Sequence, residues 1–134
     1  MSSFLAKMQI DGQTYNVLEF NIHTVQDCDK SGKPVAVARI KQLRVVIESD
    51  KDTDFFYWAT SNTQTKDGKI TFHKRDALSR LKELTFKKAY CTEYEETFNS
   101  KGDHPMVTTL YITAKETSFG TVDIKRDWGN LGGF

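Results

Sequence analysis

Asp50, Asp52 and Asp54 stand at alternate positions, and carboxylates spaced in that way can converge on a hard cation such as calcium. The rest of a calcium loop is missing. Phe55 occupies the place of its turn glycine and Ser61 that of its bidentate glutamate. The oxygens of Ser49, Asp50, Asp52 and Thr53 read instead as caps for a following helix. His23, His73 and His104 are scattered, with no His-x-x-x-His or Cys-x-x-Cys spacing to fix a tetrahedral metal. Nucleophilic catalysis wants a Ser or Cys held against a base and an oxyanion hole. The chain carries no Gly-x-Ser-x-Gly and no phosphate loop, and the glycines of its GNLGGF end read as a flexible terminus. Neither metal, cofactor nor enzymatic activity is expected. Lys66, Lys69, Lys74, Arg75, Arg80, Lys82, Lys87 and Lys88 cluster with Phe72, Phe86 and Tyr90 among them, a composition that can build a stacking platform for single-stranded nucleic acid. Asp67, Asp76, Glu83 and Glu93 interleave with them, which favours a solvated, self-paired strand surface.

Composition sets bounds on what remains. A chain of 134 residues is expected to form one domain, residues 1–134, able to fold without staples. Lysine plus arginine, 19, nearly balances aspartate plus glutamate, 18, for a net charge of +1. No global field then draws the chain to nucleic acid or to an anionic membrane, although a local patch is compatible with the sum. Cys28 and Cys91 stand without a partner motif and read as reduced, buried or half-buried thiols of a cytoplasmic protein. The N-terminal MSSFLAKMQIDGQTY contains Lys7 and Asp11 and no long apolar run, so it is not a secretory signal. No apolar stretch has the length of a bilayer span, and no membrane insertion is expected.

The elements that must position these residues are mostly β. SFLAKMQI alternates Phe4, Ala6, Met8 and Ile10 against Leu5, Lys7 and Gln9, and Asp11-Gly12 supplies a hairpin turn. The returning arm carries Tyr15, Val17, Phe20 and Ile22, with a bulge expected near Leu18 and Glu19. QDCDKSGKP reads as a loop. A long strand is expected from Val35, with Val37, Leu43, Val45 and Ile47 on one side. The helix candidate follows, with Phe55, Phe56, Trp58 and Ala59 as its apolar stripe. Asp67-Gly68 reads as a turn that opens the next strand, with Ile70 and Phe72 inward, and Leu78, Leu81 and Leu84 suggest a brief helical turn.

ELTFKKAYCTEYEETF, Glu83 to Phe98, has neither Gly nor Pro and puts Leu84, Phe86, Lys88, Tyr90, Thr92, Tyr94, Glu96 and Phe98 on one side. At about 3.3 Å per residue it would span roughly 50 Å. Such a strand either bends sharply or serves something outside its own core. NSKGDHP reads as the next loop, MVTTLYITAKETSFG as a strand and TVDIKRDWGNLGGF as a tail.

KDGKITFHKRDALSRLKELTFKKAYCTEYEETF, from Lys66 to Phe98, with PMVTTLYITA, from Pro105 to Ala114, resembles the Bacteroidetes branch of the type VI secretion tube proteins, the TssD or Hcp family. FLAKMQIDGQTYNVLEF, VVIESDKDTDFFYWA and the pair Asp127-Trp128 resemble that family's first hairpin, its strand leading into a single helix, and its end. The resemblance covers nearly the whole chain.

It implies a compact β-barrel of two antiparallel sheets with one short helix on its flank, a structural part and not an enzyme. It implies homohexameric rings that stack into a hollow tube, which a contracting sheath drives out with effectors. Sheath, spike and baseplate proteins would then be partners, with no nucleic acid among them, and export from the cytoplasm would need no signal peptide. Asp27, Asp29, Lys30, Ser31 and Lys33, on the loop from Gln26 to Pro34, become candidates for contact between stacked rings. Lys88, Thr92 and Glu96 become candidates for a protomer interface or for the lumen. Two other classes stand beside this reading: a small-ligand-binding intracellular β-barrel and a single-stranded nucleic-acid-binding β domain. Against the former, residues 13–25 are strand-like where lipid-binding barrels place a helical pair.

Overall fold

The computed structural model describes residues 4–76 and 80–126. Seven strands and one helix follow in the order β1 (Phe4–Ile10), β2 (Gln13–Val25), β3 (Arg39–Glu48), α1 (Asp54–Thr60), β4 (Lys66–Lys74), β5 (Arg80–Phe98), β6 (Met106–Phe119) and β7 (Val122–Lys125). Asp11 and Gly12 both take left-handed backbone angles, φ 54° and 75°, as a two-residue hairpin turn requires. Every pairing is antiparallel, in the order β3-β2-β1-β4-β5-β6-β7, and β3 also pairs with β6. The fold is mostly β, with one short helix. That last pairing joins the expected two sheets into one closed barrel, which removes most free strand margins.

The barrel interior is filled by Met8, Leu43, Val45, Ile70, Leu84, Phe86, Leu110 and Ile112, all essentially inaccessible to solvent. Near Phe4, β1 and β2 no longer pair, since their register begins at Lys7 opposite Asn16. Phe72 covers the opening, with ring centroids 5.4 Å from Phe20 and 6.4 Å from Phe119. At the opposite end, α1 buries Phe55 and Trp58. The Trp58 indole donates to the Ala89 carbonyl at 3.1 Å. Lys66, almost fully buried, pairs with Asp11 and lies over the Trp58 ring. A buried cation needs such partners to offset its desolvation.

Several expectations are corrected. β3 starts at Arg39, and Val35 and Val37 are 64% and 86% exposed; they belong to the loop because no strand flanks them. Thr53 is the helix N-cap and makes no side-chain capping bond, while Asp50 instead accepts the Asp52 amide at 3.0 Å in a local turn. Phe56 is exposed rather than part of the buried stripe. Asp67-Gly68 lies inside β4 beside a bulge, not in a turn. Leu81 and Leu84 lie on β5 rather than on a helical turn, and Leu78 is outside the described residues. The stretch expected as a tail begins with β7; Asp127, Trp128 and GNLGGF are outside the described residues. Cys28 is exposed, and only Cys91 is buried. The bulge at Leu18 is present, as the register shift between Val17 and Glu19 shows.

The long strand is corrected in a different way. β5 does not keep one parity: Leu84 and Phe86 point inward, and then Ala89 and Cys91 do. The change falls at Lys88, whose φ is +51°. Thr92 is a second irregularity, an extra residue against β6 between Cys91 and Glu93. The strand bends, and part of it also passes beyond its own barrel, because β4 accompanies it only as far as Ala89.

Candidate functional site

The strand registers define two ends. Ile10 and Gln13 flank the turn at one end, together with Glu48, α1 and the β5–β6 arm that reaches Phe98 and Met106. At the other end Phe4 lies opposite Lys74, Val25 opposite Arg39, and Leu84 opposite Phe119. Residues 26–38 project there.

That loop is organised by one side chain. The Asp29 carboxylate accepts from the Ser31 hydroxyl at 2.6 Å, the Ser31 amide at 2.9 Å and the Lys33 amide at 3.1 Å. The Ser31 bond, with the Lys33 and Ser31 amides behind it, holds its pKa below the usual carboxylate value. The Asp29 amide returns a bond to the Lys33 carbonyl at 2.9 Å, and Gly32, at φ +89°, makes the reversal possible. An isolated bridge joins Cys28 and Pro34, and Asp27 pairs with Arg39 at 3.1 Å. Of the five loop candidates, Asp27, Asp29 and Ser31 therefore shape the loop, and Lys30 and Lys33 are left as its exposed charges.

Lys88, Thr92 and Glu96 are all exposed, but the two irregularities prevent them from forming a simple row. The Lys88 amide donates to Asp67 at 2.9 Å. Thr92 donates its hydroxyl to the Tyr111 carbonyl at 3.3 Å. Glu96 accepts the Tyr94 hydroxyl at 2.9 Å. Beyond Ala89 this strand pairs with β6 alone among the described elements. Phe56 of α1 packs edge-on against Tyr94 at 5.5 Å, while Phe98 and Met106, opposite one another at the tip, stay exposed.

The near-neutral composition conceals a separation of charge. Asp50, Asp52, Asp54, Glu93, Glu95 and Glu96 gather at the helix end with Lys51, Lys66, Lys88 and Lys101 as fewer counter-charges, whereas Lys30, Lys33, Arg39, Lys41, Lys74, Arg75, Arg80 and Lys82 gather at the loop end against Asp27, Asp29, Asp76, Glu83 and Asp123. Tyr15 registers the acidic field: burial, then Asp50, Asp54 and Asp11, push its pKa up to about 12. Tyr94 is pushed up to about 12 by burial and by its bond to Glu96. Sequence reasoning missed this polarity because it appears only when antiparallel strands bring distant carboxylates to one end.

Among the described residues the other chemistries find no assembled site. Among the described residues no three His, Cys, Asp or Glu side chains converge as a metal would require, and His104 instead faces Glu48 at 3.3 Å. Phe86 is wholly buried and Lys66 is paired inside, so the stacking platform is not formed. A surface cleft of about 490 Å³ lies beside the first turn, lined by Ile10, Asp11, Thr14, Asp67, Gly68 and Thr85; the barrel interior itself is occupied by side chains. No helix among the described residues is long and apolar enough to cross a membrane.

A family model described as hemolysin coregulated protein Hcp (TssD) matches residues 2–129. Hcp1 from Flavobacterium johnsoniae is 34% identical, with a TM-score of 0.84 over 91% of this chain and 99% of that one. Hcp1 from Salmonella typhimurium, at 10% identity, superposes with a TM-score of 0.71 over 92% of both chains. The secreted protein Hcp3 from Pseudomonas aeruginosa, at 11% identity, gives 0.65 over 93% of this chain and 98% of that one. These last two likenesses concern the fold alone. A search of curated proteins finds no match.

Proposed function

The chain belongs to the Hcp (TssD) family, and on that premise we propose that it is the repeating unit of a type VI secretion tube, forming six-membered rings that stack end to end. Sheath, spike and baseplate proteins are then its partners, effectors its cargo, and the apparatus itself its route out of the cytoplasm. The observation that carries this reading is the pair of unlike ends: a loop with two exposed lysines projects from a cation-rich end, and an acidic face with an extended β5–β6 arm stands at the other.

Closed rings use a heterologous contact, in which two different surfaces of one subunit meet. A strand that continues past its own neighbour offers one such surface, since unpaired backbone groups favour a further strand or another cover. Cys91–Phe98 is that segment, and Lys88, Thr92 and Glu96 are assigned to the protomer contact or the lumen. Stacking of identical rings brings the loop end of one against the helix end of the next. Lys30 and Lys33 then meet carboxylates, and Asp27, Asp29 and Ser31 hold the loop in shape.

Sedimentation together with negative-stain imaging of the purified chain tests this. Six-membered rings, some of them stacked, are expected. A monomer that persists at high protein concentration overturns the reading.

A further inference from the structure

One margin of β6 changes partner along its length. β3 occupies Val107–Ile112 through Leu43–Glu48, and β7 occupies Glu116–Phe119 through Val122–Lys125. Between these two pairings β3 leaves β6, and its residues Ile40 and Lys41 have only β2 beside them as a strand partner. Arg126 fills this fork. Its guanidinium donates to the Ile40 carbonyl and, at 3.1 Å, to the Lys41 carbonyl, while its own amide donates to the Lys115 carbonyl at 2.7 Å. A planar array of N–H donors can serve several acceptors at once, which an ammonium on a flexible stem does less well. The group is part-buried and faces carbonyls instead of a carboxylate; burial, and then the nearby Arg39 charge, hold its pKa below the ordinary guanidinium value.

The fork lies at the root of the projecting loop. Val25 and Arg39 face one another where the loop leaves and re-enters the sheet, Arg39 pairs with Asp27, and Ile40 is the next residue. Residues 26–37 bury nothing, so the loop takes its direction from its root and from its internal bonds. We propose that Arg126 is a positioning residue that fixes the direction of the loop by tying β3 to β6 and β7, and so sets how copies of this chain meet at that end. The second clause rests on the reading of the loop as the contact between stacked rings.

Cys28 sits on the loop and is exposed, whereas Cys91 is buried, with burial pushing its thiol up to about 11. A nitroxide or a fluorophore therefore goes to Cys28 alone, and its mobility reports on the loop in whatever assembly state the protein adopts. Measured at one protein concentration, R126M is expected to shorten the label's rotational correlation time at least twofold and to raise amide exchange at Lys41 and Gln42. R126K should fall between R126M and the wild type. Stacks should be lost or irregular in R126M while single rings persist. Equal label mobility in R126M and the wild type overturns the positioning role; where R126M fails to fold, R126K carries the same test. A loosened loop with unchanged stacking supports the tie and overturns the loop as a ring contact. A wild type that forms no rings overturns the proposed function and leaves the mobility comparison intact.

Discussion

The main-chain amide of Lys88 is bonded to the carboxylate of Asp67 at 2.9 Å, and at that point β5 turns over, exchanging its inward and outward faces. Lys88 takes a left-handed φ of +51°, a region that costs residues other than Gly roughly 1–2 kcal/mol. β6 makes the matching exchange, from Ala114 inward to Thr117 inward, without losing register. Lys88→Gly is expected to leave stability unchanged or raise it by up to about 1 kcal/mol, Lys88→Val to lower it by about 1–2 kcal/mol, and Asp67→Ala to lower it by about 1 kcal/mol. Urea unfolding at a fixed protein concentration checks all three. Equal losses for the glycine and valine variants would sink the account of the strained position.

Gly68 is dictated by packing. A Cβ there would stand 2.6 Å from Phe86 Cζ and 3.0 Å from the Gln9 carbonyl oxygen, and Phe86 is wholly buried in the core cluster. Gly68→Ala should lower stability by about 1–3 kcal/mol, as overpacked cores do. Pairing it with Phe86→Leu should recover part of that loss, and a double-mutant cycle measures the coupling. Strictly additive losses would show that the two residues do not collide.

Sequence reasoning reached the order of the strands, the Asp11-Gly12 hairpin, the bulge at Leu18 and the general fold, because each leaves a local signature of periodicity or turn residues. It misread places where a distant partner decides the outcome. Asp67-Gly68 resembles a turn in one dimension, yet β1 and β5 flank it on both sides. Alternation through Glu83–Phe98 looks regular because Tyr90 and Tyr94 share the parity of Leu84 and Phe86, whereas the residues buried after Lys88 are Ala89 and Cys91. β7 was invisible because four residues, VDIK, carry too little pattern without β6 beside them. At the candidate surfaces, the loop was legible from its composition and the separation of charge was not.

The Asp29 turn should respond to acid in a defined direction. Its pKa is lowered by bonds from Ser31 and Lys33, so the ordering it provides is present above the ordinary carboxylate value and is lost as pH falls through its own lower value. A label on Cys28 should therefore keep its mobility from neutral pH down through about pH 3.9, the ordinary aspartate value, and loosen only below that. Ser31→Ala should move the transition upward. Asp29→Asn should abolish it, and a wild-type loop that loosens well above the ordinary value would contradict the assignment.

Opposed charge at the two ends predicts that stacks are more sensitive to salt than rings. Between about 0.1 M and about 1 M salt the screening length falls from about 10 Å to about 3 Å. Sedimentation across that range should show stacks giving way to single rings. Replacing Lys30 and Lys33 together by Glu should have the same effect at low salt. Stacks indifferent to both treatments would mean that apolar contacts, not charge, join the rings.

The barrel closes late. Leu43 meets Ile112, so a nascent chain on the ribosome can form its first hairpin early but cannot close its wall until translation has passed β6, and the tie from Arg126 back to Ile40 comes later still. Contacts so distant along the chain slow folding. Until they form, the second margin of β6, later filled by β3 and β7, lies open to any passing strand.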